Sequence, residues 1–150
     1  MRTMRLQFRH WIFFILLLIT DQTTKLVAHL QGLVVLNPGV SFGLLFQVPH
    51  QVLTSLLFGI LLLGMYLWLR YLPRQKWAAV FFFAGGVSNV VDRFLVGAVR
   101  DWLEVPILGN KNNVADWFIF IGVGLVLIYF FKQPEQFKQP KQPKKETTYA

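Results

Sequence analysis

The chain of 150 residues contains no cysteine, and only 15% of its residues are charged. The lack of cysteine excludes disulfide bonds, thiolate metal sites and a cysteine nucleophile. The small charged fraction stands beside 55% hydrophobic residues, which favours an integral membrane protein over a soluble one. Acidic residues are scarcer than basic ones, so the formal net charge is +8. This sign is compatible with nucleic-acid binding, but the distribution of the charge argues against it.

Four apolar segments predict four membrane-spanning helices. The first begins at Trp11. Continued as a helix to Ala28, it reaches roughly 27 Å at about 1.5 Å per residue, enough to span with little tilt. The other segments begin at Val52, Trp77 and Val114. The first and third carry polar residues toward one end, so we expect these two helices to face a wet cavity rather than lipid. The predicted fold is an all-α membrane domain over residues 1–131.

Basic residues orient these spans. They precede the first segment, separate the second from the third at 70–76, and follow the fourth. The positive-inside rule therefore predicts that both termini and the 70–76 loop are cytoplasmic. Anionic lipid head groups then account for the basic charge, and we expect no nucleic-acid partner. Residues 132–150, rich in Lys, Gln and Pro, are predicted to form a disordered cytoplasmic tail.

The segment 29–51 lies on the extracytoplasmic side in this topology. β-branched and aromatic residues flank Asn37-Pro38-Gly39, which is a strong turn signal. We therefore predict a small extracytoplasmic β element here. Taken alone, the turn accounts for Asn37, although an amide side chain can also orient a peptide carbonyl.

Polar groups at comparable depth in the first and third helices predict a lined cavity. Asp21 and Lys25 are four residues apart, so they share a helix face and can form an ion pair. Gly85 and Gly86 permit close approach of a neighbouring helix. Two alternatives remain open: a purely structural polar network, and Lys25 as a general base for Ser88. The five groups are Asp21, Lys25, Asn89, Asp92 and Arg93.

Asp101 and Asp116 each precede a tryptophan at the edge of an apolar run. A loop acid and a helix N-terminal acid would account for them one at a time, but not for the repeated pattern. Two carboxylates in a low-dielectric site cannot both ionise cheaply, so one holds a proton and the pair combines a general acid with a general base. Such a pair can activate water against a peptide carbonyl without a metal or another cofactor.

Five short motifs follow one another along the chain: "DQTTK" at 21–25, "NPGVSF" at 37–42, "GGVSNVVDR" at 85–93, "GAVRDW" at 97–102 and "NVAD" at 113–116. Together, in this order, they give the chain a resemblance to the lipoprotein signal peptidase (signal peptidase II) family. The resemblance implies an aspartic endopeptidase of the bacterial inner membrane, with its active site toward the extracytoplasmic side. It cuts prolipoproteins before a diacylglyceryl-modified cysteine, and we expect it to act as a monomer among membrane lipids.

The same resemblance implies roles for individual residues. Asp101 and Asp116 match the two catalytic aspartates. Arg100, before Asp101, stands where the family more often has valine, and it would lower the pKa of the Asp101 carboxyl if its side chain turned inward. Ser88, Asn112 and Trp117 are further departures from the pattern. The residues that match site-lining positions are Asn37, Asn89, Arg93 and Asn113, and those that match supporting positions are Asp21, Lys25 and Asp92.

Two other functions are compatible with the topology. A small transporter would use Asp21 or Asp92 to carry protons within the membrane, and it would leave Asp101 and Asp116 without a role. A membrane adaptor without catalytic activity would tolerate asparagine at both Asp101 and Asp116.

Overall fold

The computed structural model describes residues 2–39, 45, 47–105 and 110–132, with side chains from residue 8 onward. Four helices in these ranges are long and apolar enough to cross a membrane, which confirms the four predicted spans. They are α1 (Arg2–Leu30), α2 (His50–Tyr71), α3 (Lys76–Val96) and α4 (Val114–Lys132). The predicted tail lies almost wholly outside the described residues.

Helix α3 is the centre of the bundle. It packs against each of the other three helices, and 44% of its apolar span is buried, compared with 11% for α2 and α4. The core forms around Leu17, Val80 and Ala84, with phenylalanines of α1, α3 and α4 packed against them. Side chains on α3 can therefore reach groups on every other helix.

Two adjacent glycines bring neighbouring helices close to α3, as the sequence predicted. A Cβ atom on Gly85 would overlap the Ala115 carbonyl oxygen and lie 2.8 Å from Ile119 Cγ1, both on α4. A Cβ on Gly86 would lie 2.7 Å from Leu61 Cδ1 on α2. Gly85 therefore sets the approach of α4, whose first turn carries part of the candidate site.

The described residues between the helices form four short strands. They are β1 (Val35–Asn37), β2 (Val99–Asp101), β3 (Leu103–Val105) and β4 (Asn110–Asn112). The predicted β element in 29–51 is confirmed as β1, but its antiparallel partner is the distant β2. β3 and β4 form a separate hairpin. The last three residues of the "NPGVSF" motif, at 40–42, lie outside the described residues.

Gly97 makes the turn from α3 into β2. Its φ of 80° is in the left-handed region, and its N–H donates to the Arg93 carbonyl, which ends the helix. The chain then runs directly into β2, so the end of α3 and Asp101 are held near one another.

Candidate active site

Pairing of β1 with β2 places Asn37 beside Asp101. Asn37 is opposite Val99, and Asp101 is two residues further along β2, so the two polar side chains are diagonal neighbours on one face. Asn37 Nδ2 donates to Asp101 Oδ2 over 2.9 Å. Asn37 also stabilises the turn that follows β1, because its Oδ1 accepts the Gly39 N–H at 3.1 Å. The same side chain therefore supports the turn and contacts Asp101.

The β3–β4 hairpin closes the fifteen-residue gap between the two candidate carboxylates. Leu103 is paired with Asn112, and the Trp102 N–H donates to the Asn112 carbonyl at 2.9 Å. This pairing brings Asn113 back to the end of β2. Asn113 Nδ2 donates to Asp101 Oδ1 over 2.6 Å, so both oxygens of the Asp101 carboxylate accept an amide N–H.

Asn113 also caps α4 and holds Asp116. Asn113 Oδ1 accepts the Asp116 N–H at 3.1 Å, while Asp116 Oδ2 accepts the Asn113 N–H at 3.3 Å. This reciprocal pair is a capping box, in which the cap residue and the third helical residue satisfy each other's backbone donors. One fully buried side chain thus contacts Asp101 and fixes the first turn that carries Asp116.

Asn89 on α3 approaches Asp116 from the other side. Its Nδ2 donates to Asp116 Oδ1 over 2.8 Å, and its Oδ1 accepts from Lys25 Nζ over 2.9 Å. Because a lysine ammonium only donates, the contact with Lys25 fixes which end of the Asn89 amide faces Asp116.

Lys25 is fully buried, and each of its three donors has an acceptor. Besides Asn89, Lys25 Nζ lies 2.7 Å from Asp21 Oδ2 and 3.2 Å from Asp92 Oδ2. The predicted Asp21–Lys25 ion pair is therefore confirmed. The Ser88 hydroxyl donates to Asp21 Oδ2 over 2.6 Å, which disfavours Lys25 as a general base for Ser88.

Asp21 also stabilises α4. Its Oδ1 accepts the Ala115 N–H over 2.8 Å, and this N–H is one of those that a helix N-terminus leaves without an intrahelical partner. Asp21 and Asp92 are both 0% exposed and bound to cations. This pairing disfavours the transporter, which needs an acid that exchanges protons.

Arg93 binds backbone carbonyls rather than a carboxylate. Its Nη2 donates to the Gly39 carbonyl over 2.6 Å and its Nη1 to the Asn89 carbonyl over 3.2 Å. Arg93 Nε is buried without a hydrogen-bond partner among the described residues. The guanidinium is close enough to Asp101 and Asp116 for their charges to interact.

Gln22, which was not predicted as a site residue, contacts Arg100. Arg100 Nη2 donates to Asp92 Oδ1 over 2.6 Å and to Gln22 Oε1 over 2.7 Å. The Arg100 side chain therefore does not turn inward toward Asp101, and the condition for it to lower the Asp101 pKa is not met. Consecutive strand residues point to opposite faces, so Arg100 and Asp101 cannot share one. A glutamine one residue after Asp21 gave no local signal of this contact.

The Asp101 carboxyl is in a desolvated setting. Asp101 is 3% exposed, and this burial raises the pKa of its carboxyl. Hydrogen bonds from Asn113 and Asn37 partly oppose the rise. Asp101 and Asp116 are close enough for their charges to interact. Two carboxylates that repel each other in a region of low dielectric favour a state in which only one is ionised, and such a pair combines an acid with a base.

The chain matches the model of a protein family described as signal peptidase II, over residues 13–132. It is 34% identical to the lipoprotein signal peptidase of Helicobacter acinonychis, over 81% of this chain and 87% of that protein. It is 31% identical to that of Campylobacter jejuni subsp. doylei, over 85% and 90% of the two chains. A match to the Desulfitobacterium hafniense protein, at 33% identity, spans 63% of this chain and 64% of that protein, slightly under two thirds.

Two solved structures share the fold. Both are described as bacterial membrane enzymes determined by the in meso method, at 2.3 Å and 1.9 Å resolution. The first has a TM-score of 0.72 at 23% identity and covers 90% of this chain and 94% of that one. The second has a TM-score of 0.68 at 25% identity and covers 83% and 93%.

Proposed function

The chain belongs to the signal peptidase II family of bacterial multi-pass membrane peptidases, and we propose that Asp101 and Asp116 are its catalytic pair. The proposal is carried by one observation. Asn113 donates to the Asp101 carboxylate and forms the capping box with Asp116, so a single side chain connects the two acids. A structural role for two loop and helix acids would not require this link.

The proposed reaction is hydrolysis of a peptide bond by water. The ionised carboxylate takes a proton from a water molecule while the water oxygen bonds to the scissile carbonyl carbon. The protonated carboxyl gives its proton to the carbonyl oxygen, which forms a neutral tetrahedral intermediate. When the C–N bond breaks, the proton now held by the pair moves to the leaving nitrogen, and one hydroxyl group of the intermediate returns its proton to the other carboxylate. The products are a carboxylic acid and an amine, and the pair again holds one proton.

The proposed substrate is a prolipoprotein whose cysteine carries a diacylglyceryl group, cut immediately before that cysteine. The relatives named above are lipoprotein signal peptidases, and the spans of this chain place it in the membrane that such a substrate occupies. Two acyl chains would supply binding energy through apolar burial, at about 25 cal/mol per Å². Held at fixed depth, they would also orient the scissile bond.

The surrounding polar residues have distinct proposed roles. Asn37 and Asn113 orient Asp101, while Asn89 orients Asp116. Arg93, which already binds the Gly39 carbonyl, is suited to hold a backbone near the scissile bond. The supporting layer consists of Asp21, Lys25 and Asp92, whose contacts fix Asn89 and the first turn of α4.

The topology and assembly are also part of the proposal. We place both termini in the cytoplasm and the carboxylate pair toward the extracytoplasmic side, because basic residues cluster at the termini and at 70–76. Residues 1–131 form the catalytic domain and act as a monomer. The tail lies across the membrane from the pair, where its lysines contact anionic lipid.

The test is cleavage by purified protein and by two variants, Asp101→Asn and Asp116→Asn. An asparagine keeps the shape of the side chain but cannot accept and return a proton. We expect both variants to remain folded and inserted, with thermal unfolding in detergent close to that of the parent, and to release no signal peptide by mass spectrometry. Full turnover by either variant would remove that residue from the catalytic pair.

A further inference from the structure

Arg100 lies on strand β2 directly before Asp101, but its side chain makes its contacts on the opposite face of the strand. Its backbone N–H donates to Asp92 Oδ2 over 3.0 Å, and its Nη2 donates to Asp92 Oδ1 over 2.6 Å. One carboxylate on α3 therefore holds both the main chain and the side chain of Arg100. Such two-point contacts fix orientation as well as distance.

Gln22 extends this anchor to α1. Its Oε1 accepts from Arg100 Nη2 over 2.7 Å, and its Nε2 donates to Asp92 Oδ1 over 3.1 Å. The same Nε2 lies 2.9 Å from the Ser88 hydroxyl oxygen. Arg100, Asp92 and Gln22 thus form a closed triangle that joins β2 to α3 and α1.

Strand β2 needs such an anchor. The β1–β2 ribbon has two strands of three residues each, and an isolated two-stranded ribbon is marginally stable. β1 follows a turn after α1 and presents largely exposed side chains at Val35 and Leu36. Little apolar packing therefore holds β1 in place, and β2 depends on contacts with the helices.

Charge balance also involves Arg100. The buried site holds four carboxylates, at Asp21, Asp92, Asp101 and Asp116. It holds three cations, at Lys25, Arg93 and Arg100. Four minus three leaves one negative charge, and one proton on the catalytic pair neutralises it. Without Arg100 the site would carry a second uncompensated negative charge, which is costly in a region of low dielectric.

We propose that Arg100 is a positioning residue, which locks strand β2 onto α1 and α3 through Asp92 and Gln22 and thereby holds the Asp101 carboxylate in place for the reaction. Arg100 acts through the strand and does not touch the substrate. This inference rests on the proposed function, since it assigns Arg100 to the same pair of carboxylates.

The test compares kcat and KM of full-length Arg100→Met, Arg100→Lys and Gln22→Leu variants on a diacylglyceryl prolipoprotein. We expect kcat of Arg100→Met to fall about tenfold or more with KM within about twofold, because small misplacement of a catalytic group costs up to roughly 100-fold. The lysine variant keeps the charge and a donor, so kcat should recover to within about threefold of the parent. Gln22→Leu removes the acceptor of Arg100 Nη2 and the Nε2 donor to Asp92 and Ser88 but leaves the Arg100–Asp92 contact in place, so it should lower kcat by about threefold.

Arg74→Met is the matched control, because Arg74 is exposed in the loop between α2 and α3, and it should behave as the parent. Parent-like kcat in Arg100→Met would overturn the proposal. If Arg100→Met does not fold, a lower kcat with unchanged KM in Gln22→Leu supports the proposal, and parent-like kcat in it overturns the proposal. Asp101→Asn is assayed in parallel. Activity of Asp101→Asn would contradict the proposed function itself. If Asp101→Asn is inactive but Arg100→Met is fully active, only the positioning role of Arg100 is contradicted.

Discussion

Asn113 Nδ2 lies 2.6 Å from Asp101 Oδ1, across twelve residues of chain that fold back through the β3–β4 hairpin. The same side chain accepts the Asp116 N–H through its oxygen. Helix capping and carboxylate positioning are therefore performed by one residue. A substitution at Asn113 that keeps the capping oxygen but lacks the amide donor separates the two functions.

We expect Asn113→Ala and Asn113→Ser to lose activity alike but to differ in stability. Alanine removes the cap of α4, which costs about 1 kcal/mol, whereas serine keeps an oxygen that can accept the Asp116 N–H. Neither supplies an amide donor to Asp101, so kcat should fall on the order of 100-fold in both. Thermal unfolding in detergent and kcat are the two measurements. Parent-like kcat in the serine variant would show that the Asn113–Asp101 contact is dispensable.

Gly85 offers a test of how closely α4 must approach α3. In Gly85→Ala the new Cβ would overlap the Ala115 carbonyl oxygen, which pushes away the helix turn that carries Asp116. We expect a lower unfolding temperature and a loss of kcat of about tenfold or more.

Gly124→Ala is the matched control for Gly85→Ala. Gly124 also lies in a spanning helix, and apart from the nearby backbone of that helix no atom of the described residues lies within 4 Å of a Cβ placed there. We expect it to match the parent in both measurements. Equal behaviour of the two alanine variants would mean that the close α3–α4 packing does not position the site.

The pH dependence of kcat/KM should be bell-shaped. Burial raises the pKa of the Asp101 carboxyl above its ordinary value of 3.8, so a proton stays on the pair at pH values where a free aspartate has lost it. As pH rises, loss of that proton removes the general acid. As pH falls, protonation of the second carboxylate removes the general base. The two pKa values that define these limbs are properties of the interacting pair and not of either aspartate alone.

A lysine base would give a different profile. If a single basic side chain activated a nucleophile instead, activity would rise with pH to a plateau, because only the deprotonated base accepts a proton. Measurement of kcat/KM across the pH range in which the parent protein remains folded therefore distinguishes the two mechanisms. A single ascending limb would contradict the carboxylate pair.

The spans and the polar motifs could be predicted from the sequence because both are local. An apolar run long enough to cross a bilayer predicts a helix directly. Polar residues such as Lys25 within such a run require partners. The four-residue spacing likewise predicted the ion pair between Asp21 and Lys25. The roles of Asp101 and Asp116 as a catalytic pair remain predictions.

The partners of Arg100 could not be predicted, because they depend on tertiary structure. Its direction follows from the register of β2 against β1, a strand more than sixty residues away. The role of Asp21 at the N-terminus of α4 is similarly non-local, since Ala115 donates a backbone N–H that no side-chain pattern reveals. From the sequence, the Arg100 side chain could be considered only beside its neighbour Asp101, whereas strand alternation directs it to Asp92 and Gln22.

The most direct test of the account is cleavage of one prolipoprotein with and without its diacylglyceryl group, by the purified protein, with product masses measured. A free signal helix slides and rotates in the bilayer, so its scissile carbonyl rarely meets the pair, whereas held acyl chains fix its depth and register. We predict cleavage of the lipidated form alone, immediately before the modified cysteine, and no cleavage by Asp101→Asn or Asp116→Asn. Equal cleavage of both forms would contradict the proposed substrate, and cleavage by either asparagine variant would contradict the catalytic pair.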